Sequence, residues 1–306
     1  MHFLAIEIGG SKIQICAGSA DGQIVDRVRF QVDRAAGGEG IRSQIAGALP
    51  ELLARWRPKA IGIGYGGPVN WRTGEIIKSY HVPGWSGFQL GRWLESIAGI
   101  PALAENDSNT AAFGEATLGA GKGCNPVLYS NLGSGCGGGF VVDGRLFHGA
   151  PPGEVEIGHI RLERDGTIVE DRCAGWGIDR RIRQEIANAP ESALAKLLQG
   201  KPEGGEAKAL GPALAAKDPL AERILRESMS EYAFALSHAV HILHPEIIVL
   251  GGGVSLIGEP MRAAVAEALG GFLMDAFAPG PKVALSTLGE DVVPVGALAL
   301  AAQRLS

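Results

Sequence analysis

Residues 103–139 read LAENDSNTAAFGEATLGAGKGCNPVLYSNLGSGCGGG, and their interpretation decides the fold. A short apolar approach (Ile100, Pro101, Ala102, Leu103) delivers Glu105, Asn106 and Asp107 to the mouth of an Ala-rich helix. After that helix a strand-like run over 127–132 empties into a loop with five glycines between Gly133 and Gly139. A carboxylate at a strand-to-helix junction can accept a proton. Glycine-rich turns let backbone N–H groups approach phosphate closely. Side by side, the two features suit phosphoryl transfer onto a hydroxyl.

Upstream, residues 3–8 (FLAIEI), 12–18 (KIQICAG) and 24–30 (IVDRVRF) predict three strands. Gly9-Gly10-Ser11 joins the first two, and the hairpin signal Asp21-Gly22 joins the next pair. Ile41, Ile45, Leu49, Leu52 and Trp56 fall at helical spacing, with Pro50 predicting a break or two shorter helices. A short buried strand over 60–64 ends in the Gly66-Gly67-Pro68 turn, and a helix over 89–97 puts Leu90, Trp93, Leu94 and Ile97 on one face. With a further strand at 100–104, the β-β-β-α-β-α order describes a mixed sheet flanked by helices.

The second half repeats the logic. Strand 127–132, the glycine loop, strand 138–142 and the Asp143-Gly144 turn lead into strand 145–148. A helix-rich region over 176–216 contains a Pro- and Gly-rich excursion at 190–212. The strongest helix signal runs over 219–243, with Asp218 as N-cap, Pro219 at the first helical position and His244-Pro245 as terminator. Strand 246–250 opens into Gly251, Gly252 and Gly253, and a last helix follows Pro294-Val295-Gly296. Glycine-bearing turns at 9–10 and 133–139 thus open two similar halves, and two such halves facing a cleft can clamp a nucleotide from both sides.

Bulk properties narrow the class. A chain of 306 residues can bury roughly three quarters of its unfolded surface and can split into two domains. With 46% apolar and 20% charged residues it reads as a compact α/β enzyme rather than a disordered or fibrous chain. The net charge of −5 offers no general attraction for nucleic acid. Cys16, Cys124, Cys136 and Cys173 lack CxxC spacing, which argues against a disulfide framework and a four-cysteine zinc site. There is no signal-peptide pattern and no run of about 20 apolar residues, so the expectation is a cytoplasmic protein away from membranes.

Several motifs compete with simpler readings. Gly133-x-Gly135-x-x-Gly138 matches the dinucleotide fingerprint as a string, but Phe140-Val141-Val142 continues as a strand where that fingerprint needs a helix. Gly121-Lys122 resembles the end of a P-loop, yet Gly123 stands where Ser or Thr must bind the metal. What survives is a strand–loop–strand glycine turn that either cradles phosphate or forms a tight hairpin. Asp107 reads as a general base or as a helix N-cap. Asn106 holds a polar ligand or bonds the turn. Glu156 and His159 bring a carboxylate and an imidazole three residues apart, with no complete zinc set around them. The five tryptophans read as core or cleft packing rather than a nucleic-acid stacking platform. Gly251, Gly252 and Gly253 leave bare backbone for a flat ring or make a tight strand-to-helix turn.

Taken in order, these pieces resemble the ROK family of bacterial sugar kinases and related repressors, whose fold is the two-lobed actin-like (ribonuclease H-like) α/β ATPase fold with a central cleft. The resemblance covers nearly the whole chain. IEIGGSK (6–12) is similar to the first phosphate motif, and GIGYGGPV (62–69) and VPGW (82–85) to the sugar-side loops. AENDSNTAAFGE (104–115) is similar to the catalytic segment and LGSGCGGGFVVDGRLFHGA (132–150) to the second phosphate motif. EIGH (156–159) and PEIIVLGGGVS (245–255) resemble the sugar-binding and adenosine segments.

The resemblance implies an ATP- and Mg²⁺-dependent kinase of a hexose or hexose derivative, with Asp107 as the base. It implies sugar contacts from Asn106, Glu156, His159 and Gly67. It places Gly9, Gly10, Ser11, Lys12, Gly133, Ser134 and Gly135 around the ATP phosphates and Gly251, Gly252 and Gly253 against adenine. The partners implied are a small sugar and a second copy of the chain, with neither nucleic acid nor membrane. A repressor of the family carries a helix-turn-helix ahead of the core, and this chain begins within two residues of its first strand. The expected lobes are 1–104 with 290–306, and 105–289.

Three positions depart from the family pattern. Glu7 stands at the place of the phosphate-motif Asp, where it would serve Mg²⁺, directly or through water. The zinc-loop run CxCGxxGC is missing, so no zinc is expected, and Glu170 takes the place of the sugar-contacting Glu that follows it; its alternative is an ordinary helix-start acid. His81 stands where an Asn usually reaches the sugar, which leaves the substrate open. An inactive sugar-binding homologue is the rival reading.

Overall fold

The structure, a computed structural model, describes residues 1–79, 82–151, 153 and 155–305. β1 (Phe3–Ile8) and β2 (Lys12–Gly18) pair antiparallel with Glu7 directly opposite Gln14, so both side chains stand on one face. β3 (Ile24–Gln31) adds to β2 across the Asp21-Gly22 turn, where Gly22 takes a φ of +82° that L side chains avoid. α1 (Gly37–Trp56) lays Ile41, Ile45, Leu49 and Leu52 on Leu4, Ile6, Ile13 and Ile15. Pro50 does not break it. An internal proline costs about 3 kcal/mol. Burial of Leu49 and Leu52 on the sheet, at about 1.5–3 kcal/mol each, outweighs that while Pro50 itself faces solvent.

β4 (Ile61–Tyr65) runs parallel to β1, and the small hairpin of β5 (Val69–Asn70) and β6 (Glu75–Ile76) precedes α2 (Leu90–Ala98). β7 (Ala102–Asn106) then pairs parallel to β4, completing the order β3-β2-β1-β4-β7. The register sets Ile8 beside Tyr65 and Tyr65 beside Asn106, so three parallel strands end at one level. α3 (Asp107–Leu118) leaves β7 with no intervening loop.

β8 (Val127–Leu132), β9 (Cys136–Val142) and β10 (Arg145–Leu146) follow. The helix-rich region resolves into four short helices, α4 (Val169–Cys173), α5 (Gly175–Ile186), α6 (Ala193–Leu198) and α7 (Leu210–Ala215). α8 (Pro219–Leu243) has the predicted ends: Asp218 Oδ1 accepts from Leu220 N at 2.9 Å, and His244 closes it at φ +46°. β11 (Ile247–Gly251), α9 (Glu259–Gly270), β12 (Lys282–Leu285) and α10 (Val292–Gln303) complete the chain. The second sheet is ordered β10-β9-β8-β11-β12. α10 starts before Pro294 rather than after Gly296, because a proline in the first helical turn forgoes only an N–H that has no intrahelical partner.

Two compact units result. One comprises 1–123, 139–155 and the chain from 287 onward; the other comprises 124–138 and 156–286. The first unit therefore takes in 139–155 as well as 105–123, both of which the sequence reading assigned to the other lobe. The reason is backbone packing of α10. A Cβ added at Gly296 would overlap the carbonyl of Thr110 in α3, and one at Gly62 would overlap the carbonyl of Ala297. Glu115 reinforces this. Fully buried, it accepts N–H bonds from Ala120 at 2.7 Å, Leu288 at 3.0 Å and Thr287 at 3.1 Å. On the sheet face opposite α1, Phe3, Ala5, Cys16 and Ala60 are covered by Ala297, Leu298 and Ala301.

Two glycine-to-alanine substitutions should therefore act with opposite sign. Gly296→Ala forces backbone apart and should lower unfolding free energy by about 1–3 kcal/mol. Gly47→Ala meets nothing within 4 Å on the exposed face of α1 and should raise it by about 0.5–1 kcal/mol. Urea titration of both against the parent checks the pair.

Candidate active site

The ends of β1, β4 and β7 bring one set of predicted residues together in the first unit. Asn106, 9% exposed, caps α3 with its own side chain, Oδ1 accepting from Ser108 N at 2.8 Å and Asn109 N at 3.1 Å. Its Nδ2 donates to Gly67 O at 3.1 Å. The N-cap is thus Asn106 rather than Asp107, which occupies the first helical position with its carboxylate released from capping. That side chain looks onto the neighbouring strand ends. A Cβ added at Gly66 would lie 3.4 Å from Asp107 Oδ2, 3.4 Å from Ile8 O and 3.7 Å from Gly9 Cα.

Burial pushes the Asp107 carboxyl up to about 6, the Ser108 N–H pulls it back, and the like charge of Glu7 adds to the rise. A carboxylate in this range is a competent proton acceptor near neutral pH. Glu7 is itself held by two groups: Gln14 Nε2 donates to its Oε2, and Lys12 Nζ lies 3.8 Å from its Oε1. Gly9 N–H closes the turn onto Lys12 O at 3.0 Å, and Ser11 is exposed at its tip.

In the second unit the other predicted residues gather around the backbone of Cys136. Glu170 Oε2 accepts from Cys136 N at 3.0 Å, and a Cβ at Gly135 would come within 2.9 Å of that same oxygen. The carboxylate of Glu170 therefore braces the glycine turn directly. Gly158, between Glu156 and His159, presses so close to Cys136 O that a Cβ would overlap it. Glu156 and His159 themselves are exposed. Gly133 N donates to Gly135 O at 2.8 Å, its carbonyl accepts from Gly175 N at 2.8 Å, and Ser134 is exposed at the apex. Gly252, at φ +82°, is pressed against Leu132 O, while nothing lies within 4 Å of a Cβ at Gly253. The bare backbone after β11 thus borders the glycine turn after β8. His81 lies outside the described residues.

Sequence reasoning missed four of these features. Gly66 was readable only as part of a turn. Gln14 was reachable in principle, since strand alternation across a hairpin sets it opposite Glu7. The Cys136 hub works through main-chain atoms and leaves no sequence signal. Neither does His148, whose Nε2 lies 2.6 Å from Glu105 Oε2. Among the described residues no group of three or more His, Cys, Asp or Glu is placed to hold a metal.

Known proteins supply a context for this geometry. The chain is 31% identical to a glucokinase of Halalkalibacterium halodurans over 96% of its own length and 93% of that protein's. It is 28% identical to a glucokinase of Thermotoga maritima, covering 100% of this chain and 98% of the other. A ROK family glucokinase from Streptomyces griseus, solved in complex with glucose and AMPPNP, superposes with a TM-score of 0.86 at 29% identity, covering 99% of this chain and 100% of that one. The two sheets are those of the actin-like ATPase fold shared by such kinases. The ROK family pattern matches residues 3–304, and the chain belongs to the ROK family.

Proposed function

We infer that the protein transfers the γ-phosphoryl group of ATP to a hydroxyl of a hexose or hexose derivative. The observation that carries this is Asp107, a desolvated carboxylate at the level where three parallel strands end, with its ionisation raised to about 6. In the reaction, Asp107 accepts the hydroxyl proton as the sugar oxygen bonds to phosphorus and the bond to ADP breaks. The proton leaves to solvent after product release. Catalysis comes from positioning and charge neutralisation more than from covalent chemistry.

The residues fit the nucleotide. Gly133, Ser134 and Gly135 offer backbone that a phosphate can approach, and Gly9, Gly10, Ser11 and Lys12 offer a tight turn with a cation. Gly253 has open space where a ring can lie, beside Gly251 and Gly252. Glu7 is an oxygen donor of the kind Mg²⁺ prefers, and we assign it that role, directly or through water. Bound there, Mg²⁺ would neutralise charge developing on the phosphate oxygens. Glu156, His159 and Glu170 are assigned to sugar hydroxyls, with Glu170 also holding its glycine turn. Asn106 contributes through the cap it makes. Glucose is the first candidate substrate, because the relatives at 28–31% identity are glucokinases. The missing cysteine run supports a protein without structural zinc. The family resemblance supports a cytoplasmic homodimer.

A coupled ADP-release assay over a hexose panel tests the reading, with Asp107→Asn as control. Turnover of one sugar should fall about 10²–10⁴-fold in the variant, and turnover unaffected by it would sink the assignment of the base. Because the base must be ionised, kcat/KM should drop tenfold per pH unit below about 6.

Stability should move the other way. The folded Asp107 keeps its proton up to about 6 where an ordinary carboxyl releases it at 3.8, a shift equivalent to about 3 kcal/mol against the folded state above that window. Asp107→Asn should therefore unfold at higher denaturant than the parent at pH 8, with the gap closing towards pH 4. Removing metal should separate two roles. EDTA should abolish turnover until Mg²⁺ is restored, while a zinc-selective chelator should leave both the melting temperature and the Mg²⁺-supported rate unchanged.

A further inference from the structure

His148 follows β10 and has no part in the scheme above, yet it makes a short contact to one of the most buried carboxylates in the first unit. Glu105 is 3% exposed. A carboxylate that dry is stable as an anion only when its oxygens meet donors. Oε1 accepts from Asn106 N at 3.0 Å and from Asn109 Nδ2 at 3.1 Å, and Oε2 lies 2.6 Å from His148 Nε2. The carboxylate accepts, so the imidazole must carry its proton on Nε2. Trp71 stacks on that ring at 4.4 Å and 18°, and Arg72 sits over the same indole at 4.9 Å. These groups fix the plane of the imidazole, so the direction of its N–H is set before it meets Glu105.

The consequences run along the chain in two residues. Glu105 holds the N–H of Asn106 and the side chain of Asn109, which is itself fully buried. Asn106 in turn caps the first turn of α3, the turn that begins with Asp107. We propose that His148 and Glu105 are a positioning pair for Asp107: the imidazole anchors the Glu105 carboxylate, and Glu105 sets the first turn of α3 and with it the direction of the Asp107 side chain. Neither residue touches the reacting atoms. The proposal rests on Asp107 being the base of the kinase reaction.

Two substitutions separate positioning from mere structural support. His148→Phe keeps a ring to stack on Trp71 and removes the N–H. His148→Gln places an amide N–H at a similar reach without the ring. Both are measured for kcat, for the KM of sugar and of ATP, and for the Asp107 carboxyl titration by ¹³C NMR, with Asp107→Asn identifying the resonance. In His148→Phe, kcat should fall on the order of 10²-fold, the effect of a misplaced catalytic group, with the KM of ATP unchanged. The looser turn should admit water to Asp107, moving its titration down from about 6 towards the ordinary carboxylate range. His148→Gln should recover most of kcat and keep the titration high. Parent-like kcat and titration in His148→Phe would overturn the proposal. So would equal losses in both variants with the titration unmoved. A parent that phosphorylates no sugar would refute the kinase reading instead, and the titration would still decide whether the pair positions Asp107.

Discussion

As the proposed base, Asp107 has to be dry enough to bind a proton near neutral pH and free enough to release it. The first unit meets both demands by joining β7 to α3 with no loop between them. The residue before the junction, Asn106, takes over the capping duty that an acidic residue at a helix start would otherwise perform. The carboxylate beyond it is left to face Gly66 and the end of β1. Burial and the nearby charge of Glu7 then raise its proton affinity together. This seat opposes folding, and the surrounding contacts are correspondingly stiff. α10 touches α3 and β4 backbone to backbone, and Glu115 gathers N–H groups from nearby Ala120 and from the distant pair Thr287 and Leu288.

The second unit solves a different problem, holding a loop that must stay bare. Side chains on the glycine turn would block a phosphate in the proposed reaction, and the turn is braced from behind. Glu170 takes the N–H of Cys136 and Gly158 presses on its carbonyl. Burial keeps the Cys136 thiol protonated, well above the usual thiol range, and the contacts use its main chain instead. The carboxylate at this position is therefore occupied on one oxygen by the turn it supports. That makes Glu170 a structural partner of the glycine turn as well as a candidate sugar contact.

Much of this was legible in the sequence. Strand-like runs marked β1, β2 and β3, and the Gly9 and Gly22 turns set their hairpins. Asp218, Pro219 and His244 marked both ends of α8. The strand-to-helix junction at Asp107 was visible because it is built from adjacent residues. What escaped has a common physical character. Pro50 was over-weighted because propensity is local, whereas the burial of Leu49 and Leu52 that outweighs it is tertiary. The unit boundary escaped because it depends on Gly62, Gly114 and Gly296, whose meaning lies in what approaches them. α9 and β12 carried weak periodic signals and went unassigned. Glu115 and Glu105 were given no separate role in the sequence, and their burial depends on donors that only the fold brings to them.

The placement of α10 bears on how the chain is made. The strands that α10 covers are synthesised well before α10 itself, which spans Val292–Gln303. Throughout translation, Phe3, Ala5, Cys16 and Ala60 have no partner from α10. Residues 124–138 and 156–286 are all available before α10 exists, so the second unit can reach its native contacts while the first is still open. Nothing in the contacts of the second unit waits on α10, whereas one face of the first sheet does. A holdase that shields apolar strands would find its substrate in the face of Phe3, Ala5, Cys16 and Ala60 that α10 has yet to cover.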